Sequence, residues 1–120
     1  MSFVPGKLNT TTITGKVHLY EPTADGGRRK AGTLEVTAKK LPKPEYNALR
    51  DGFTDEVDLN LCRELVTDIK GAMREDGSPW PLADGLIDAL YTVDWQFNPV
   101  VDFVLGINEE RIARVLKGKN

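Results

Sequence analysis

GKVHLYEPTADGGRRKAGTLEVTAKKL, residues 15–41, decides how the rest of the chain must fold. Val17, Leu19 and Glu21 alternate with Lys16, His18 and Tyr20. Further on, Leu34, Val36 and Ala38 alternate with Thr33, Glu35, Thr37 and Lys39. A period of two sends successive side chains to opposite faces of a strand, so each run carries one apolar face. Between them, residues 22–32 hold Pro22, glycines and the adjacent cations Arg28, Arg29 and Lys30. That segment is too long for a two-residue turn and is expected to form a mobile loop. The Thr-rich residues just upstream extend the first strand, giving an antiparallel β-hairpin over about residues 9–40. A lone hairpin is only marginally stable in water, so helices must cover its apolar face.

The chain has 120 residues, enough for one domain (residues 1–120) with a single core. Its 16 basic and 18 acidic side chains leave a formal charge of −2, with no overall pull toward nucleic acid or an anionic membrane. The one cysteine, Cys62, has no intrachain partner, which fits a reducing compartment. Pro5 and Gly6 stand where a secretory signal needs an apolar run, and no stretch is apolar and long enough to span a bilayer. A cytoplasmic domain is expected.

After Lys40 the period changes. A short helix is expected from near Pro44 to Gly52. A longer one is expected from Asp55 to about Met73, because Leu61, Leu65 and Ile69 fall four apart beside Cys62 and Val66, with Arg63, Glu64, Asp68 and Lys70 opposite. Asp76-Gly77 ends it. Gly77, Pro79, Trp80 and Pro81 then form a rigid corner, since two prolines fix φ and hold their neighbours extended. A helix over residues 84–92 follows, with Asp84 as its cap and Leu86, Ile87, Leu90 and Tyr91 on one stripe. Asn98-Pro99 opens the next, carrying Val100, Val101, Phe103, Val104 and Ile107. Gly106 is a point of bending, and Asn108, Glu109 and Glu110 restart a helix continued by Ile112, Val115 and Leu116. The fold class is α+β: an N-terminal antiparallel β-hairpin followed by three to four packed helices over about residues 44–117.

Catalytic signals are thin. His18 sits on the polar face of a strand with no specified partner, and Cys62 lies against an apolar stripe that would raise its pKa. One His and one Cys do not make the usual zinc spacings. Asp51, Asp55, Glu56 and Asp58 lack the alternation of a calcium loop and read as helix-capping charge. DGGRRKAG (residues 25–32) lacks the ending of a nucleotide loop and reads as a charged hairpin tip, with contact of Arg28, Arg29 and Lys30 to an acidic partner the alternative. No catalytic residue, cofactor or metal site is expected. DWQFNPVVDFV (residues 94–104), by contrast, is very apolar for a small chain. Most of these apolar side chains read as core covering the hairpin; part of the stripe, with Leu86, Leu90, Phe97, Val100, Phe103 and Val104 as candidates, is alternatively a docking groove or a subunit interface, with homo-oligomerisation one option.

The order of these signals resembles the tail assembly chaperones of long-tailed bacteriophages and prophages. Two strands around a glycine-containing loop run into an L-P-x-x-E step, here LPKPE at 41–45. A helix then leads to a D-G-x-P-x-P-like stretch and an apolar helix, here DGSPWPLADGLIDAL, with RIARVLKGKN at the C-terminal end. Ala83 stands where a capping side chain is usual, and Ala72 and Met73 where a tryptophan often ends the preceding helix. The resemblance implies a non-enzymatic protein of the bacterial cytoplasm, not part of the mature virion. It would bind the tape measure protein during tail assembly, with the tail tube protein a second candidate partner and a frameshifted longer form in many phages. A head–tail connector, a tail-terminator subunit or a general interaction adaptor are the alternatives.

Overall fold

The computed structural model describes residues 10–109; the expected continuation through Ile112, Val115 and Leu116 lies outside the described residues. The alternation of residues 15–41 produces two long strands, β1 (Thr11–Pro22) and β2 (Arg28–Lys40), paired antiparallel with Val17 opposite Leu34 and Gly15 opposite Val36. Val17, Leu19, Leu34, Val36 and Ala38 are buried, while Lys16, His18 and Glu35 face outward. The strands run further into the glycine-rich segment than expected. Only Thr23–Gly27 turns, closed by the Thr23 amide donating to the Gly27 carbonyl at 2.9 Å, with Gly26 at φ +85°. The Asp25 carboxylate accepts from the Thr23 hydroxyl and the Gly27 amide, which holds its pKa below the usual carboxylate value. Leu19 pairs with Gly32 and Tyr20 with Lys30, so Ala31 is an extra residue, a bulge in β2.

Helix α1 (Lys43–Asp51) starts at the prolines and stops at Gly52, as its sequence signals require. Helix α2 (Val57–Leu65) is half the length expected. At Val66 the chain becomes strand β3 (Val66–Lys70), which pairs antiparallel with β2 through Val36 and Ile69. Val66, Thr67 and Ile69 are β-branched and lose χ1 freedom in a helix, so the extended form wins where a sheet edge is available. Leu61, Leu65 and Ile69 are all buried, two from the helix and one from the strand. The fold is α+β, its hairpin enlarged to a three-stranded sheet of order β1-β2-β3.

Beyond β3, a 3₁₀ turn (Leu82–Asp84) precedes α3 (Leu86–Tyr91). Gly85, at φ +76°, occupies the cap position assigned to Asp84. Helix α4 (Asp94–Asn108) begins ahead of the expected Asn98-Pro99 start and carries Pro99 inside it. Pro99 has no amide hydrogen to give the preceding turn. The helix persists because Phe97 and Val100, on either side, are buried in the core. Gly106 is buried and does not interrupt it.

Helix α4 crosses the sheet close to β1. A Cβ at Gly15 would lie 2.5 Å from Phe103 Cε1, so only glycine lets the ring approach the strand. At its far end the Asn108 carboxamide accepts from the Leu41 amide at 3.0 Å and donates to the carbonyls of Lys39 (3.0 Å) and Val104 (3.1 Å). Lys40 Nζ donates to the Ile107 carbonyl at 2.6 Å, and the buried Tyr46 hydroxyl donates to Glu109 at 2.5 Å. The LPKPE step is thus the place where the β2–α1 link is fastened to the end of α4. Asn108 is the last residue of α4, and the expected restart beyond Glu109 lies outside the described residues.

Candidate functional site

The site begins with a mismatch in strand length. Strand β3 pairs only with Glu35 to Ala38 of β2, and its last residue, Lys70, lies opposite Glu35. Gly71 then turns away at φ +104°. A Cβ there would fall 2.6 Å from the Thr33 carbonyl oxygen, so the chain leaves the sheet with its backbone against β2. Residues 28–32 of β2 continue past this point with β1 as their one strand partner among the described residues.

The departing chain folds back as a narrow hairpin. Met73 bridges Pro79, the Arg74 amide donates to the Ser78 carbonyl at 2.8 Å, and Gly77 turns at φ +86°. The Asp76 carboxylate accepts from the Ser78 hydroxyl (2.6 Å) and amide (2.9 Å), which lowers its pKa. The Trp80 amide donates to the Ala72 carbonyl at 3.0 Å and its indole Nε1 to the Asp84 carbonyl at 2.9 Å. The Arg74 guanidinium lies 5.3 Å from the Trp80 ring centroid and pairs with the Asp84 carboxylate at 2.5 Å. Gly77, Pro79, Trp80 and Pro81 therefore build a corner that aims the 3₁₀ turn and α3 relative to the sheet. Replacing Trp80 with alanine removes a half-buried ring and its indole bond, and is expected to cost about 2 kcal/mol. Thermal unfolding followed by circular dichroism checks this, with Trp80→Phe expected to lose about half as much.

Between this corner, the exposed length of β2 and helices α3 and α4 lies a groove of about 400 Å³. Its walls include Gly32, Leu34, Met73, Trp80, Leu90 and Trp95. Met73 is 64% exposed, an unusual exposure for a large apolar side chain in a small domain.

The structure places the expected docking residues elsewhere in role. Leu86 and Leu90 touch the groove but are buried, and Phe97, Val100 and Val104 are sealed in the core. Phe103 is half-buried against Gly15. Five of the six are thus buried within the domain and Phe103 is half-buried, with Leu86 and Leu90 also reaching the groove wall. An apolar stripe has the same sequence pattern in either role. The helical spacing of Leu61, Leu65 and Ile69 carries the expected helix on to Met73, which hides the exposed Met73 side chain as a wall of the groove.

The chemistry-bearing residues stay apart. His18 is exposed, its Nδ1 3.1 Å from the Thr33 hydroxyl. Cys62 is buried, and desolvation, with Asp58 adding to it, pushes its thiol up to about 12. Among the described residues no group of three His, Cys, Asp or Glu side chains is arranged to hold a metal ion. Asp25 to Gly27 turn between two strands, so this glycine run opens no helix that could cradle a phosphate. Among the described residues no helix is long and apolar enough to cross a membrane.

No family model matches the chain. No solved structure matches it. A stretch of 55 residues, 46% of the chain, is 34% identical to the chloroplastic alpha-glucan water dikinase of Solanum tuberosum. That stretch spans 4% of the dikinase, so the similarity is local.

Proposed function

We propose that the chain is a non-enzymatic tail assembly chaperone of a long-tailed phage or prophage. It holds the tape measure protein in the host cytoplasm until the tail tube encloses it, and is absent from the finished virion. The observation that carries this reading is the open apolar groove beside a partly unpaired sheet edge, a geometry suited to gripping a polypeptide. Two further features support it. The segments behind the resemblance have structural work to do: LPKPE fastens the sheet to α4, and DGSPWP builds one wall of the groove. The candidate nucleophile Cys62 is buried with a raised pKa, and His18 points away on the outer face of the sheet.

Co-expression with a tape measure protein tests the proposal. The expected result is a soluble complex that co-purifies, and its loss when Met73 is replaced by aspartate. Because Met73 is exposed, that variant should keep its unfolding transition within about 0.5 kcal/mol of the parent. A tape measure protein that stays insoluble and does not co-purify overturns the proposal. A stable ring seen by light scattering also overturns it, in favour of a connector or tail-terminator subunit.

A further inference from the structure

We propose that the groove and the free edge of β2 together receive an extended acidic segment of the partner, added to the sheet as an extra strand. It inserts an apolar side chain between Met73, Leu90 and Trp95. The inference rests on reading the groove as a protein-binding surface, and specifies what enters it.

Three observations select this occupant. First, one rim of the groove is backbone. Residues 28–32 of β2 carry amides and carbonyls directed away from β1 with no strand opposite among the described residues, because Gly71 takes the chain out of the sheet beside Thr33. An extended segment supplies the complementary amides and carbonyls; a helix has already used its own. The sheet edge therefore favours a strand over a helical guest.

Second, the charge along that edge is positive. Arg28, Arg29 and Lys30 follow one another and are all exposed. Arg29 pairs with Glu21 at 2.5 Å, and Arg28 lies 5.5 Å from the Tyr20 ring centroid. Neither Arg28 nor Lys30 has a carboxylate within ion-pair distance among the described residues, although Asp94 and Asp102 share a neighbouring hollow with Arg28. Asp84, on the far side of the groove, is already taken by Arg74. Carboxylates carried in by the guest would meet cations across the new strand pair.

Third, the same cations disfavour a second copy of this chain. Edge-to-edge pairing of two molecules would bring the Arg28–Lys30 runs together, and like charges across a strand pair repel. The groove is closed to self-association by charge, yet open to an acidic strand.

The test uses a blocked peptide of about nine residues that alternates glutamate and valine around a central leucine. Three controls accompany it: the same peptide with lysine for glutamate, the acidic peptide N-methylated at alternate amides, and an acidic amphipathic helix former. Binding is followed by tryptophan fluorescence and by amide shifts at Ala31, Gly32 and Thr33. The acidic strand peptide should bind and move those amides. The lysine and N-methylated forms should bind at least about tenfold more weakly, as should the parent peptide to Arg28→Glu/Lys30→Glu or Met73→Asp proteins. All variants should retain the parental unfolding transition. Equal binding of the lysine peptide, indifference to N-methylation, preference for the helical probe, or concentration-dependent dimers through this edge would each overturn the inference. If the tape measure protein is retained while the acidic strand is not, the strand inference fails and the chaperone reading stands. Binding of the probe without retention of the tape measure protein gives the reverse.

Discussion

Replacing Gly71 with alanine is expected to destabilise the domain by about 3 kcal/mol, the backbone strain and the steric clash acting together. Gly71 sits at φ +104°, where an L side chain is strained whatever the space around it. Its Cβ would also lie 2.6 Å from the Thr33 carbonyl oxygen, an atom fixed in the sheet that cannot rotate aside. Gly77 supplies the internal control. It has φ +86° with nothing within 4 Å of a Cβ, so Gly77→Ala carries the strain without the clash and should cost about 1 kcal/mol. Urea unfolding of the two variants separates the contributions, and equal losses would show that the β2–Gly71 approach is unimportant. The melting temperature of Gly71→Ala should fall by about 10 °C or more. Because this residue ends β3 and opens the groove, the variant should also lose the acidic peptide.

Asn108→Ala is expected to cost a similar amount, about 3 kcal/mol. Asn108 is buried, and its carboxamide serves three backbone groups. Truncation leaves the Leu41 amide and the Lys39 carbonyl without that partner in a part-buried site, and an unsatisfied group shielded from water costs roughly 1–3 kcal/mol. Asn108→Asp gives a pH signature that a cavity alone would not. The carboxylate keeps the bond from the Leu41 amide but faces the Lys39 and Val104 carbonyls without a proton to donate. Its folded pKa should therefore rise above the unfolded value of about 3.9. Stability should be greatest below that value and fall as pH rises through the folded pKa. Urea midpoints at about pH 4 and pH 7 check the sign, and a midpoint independent of pH would exclude the proposed contacts.

How much was legible beforehand depends on whether local pattern or long-range pairing decides the element. The hairpin was readable because Val17, Leu19, Leu34, Val36 and Ala38 keep a strict period of two, and all five are buried. Helix α1 was readable from Pro44 and Gly52. The boundary between α2 and β3 was not. Leu61, Leu65 and Ile69 keep helical spacing across the junction, and only the β-branched Val66 and Thr67 signal the change. Asn98-Pro99 imitated a helix start inside a helix whose first turn is held by Phe97. The groove was hidden for a different reason. It exists because β3 is shorter than β2, a property of their pairing that no residue pattern within either strand records.

The fastening of Leu41 to Asn108 also constrains synthesis. The two residues are 67 positions apart, so at roughly 5–20 residues per second the ribosome needs about 3–13 s to deliver the second after the first. Throughout that interval the oily side of the hairpin has emerged while the helix that caps it has not. The nascent molecule must be sheltered, or finish quickly, until that face is covered.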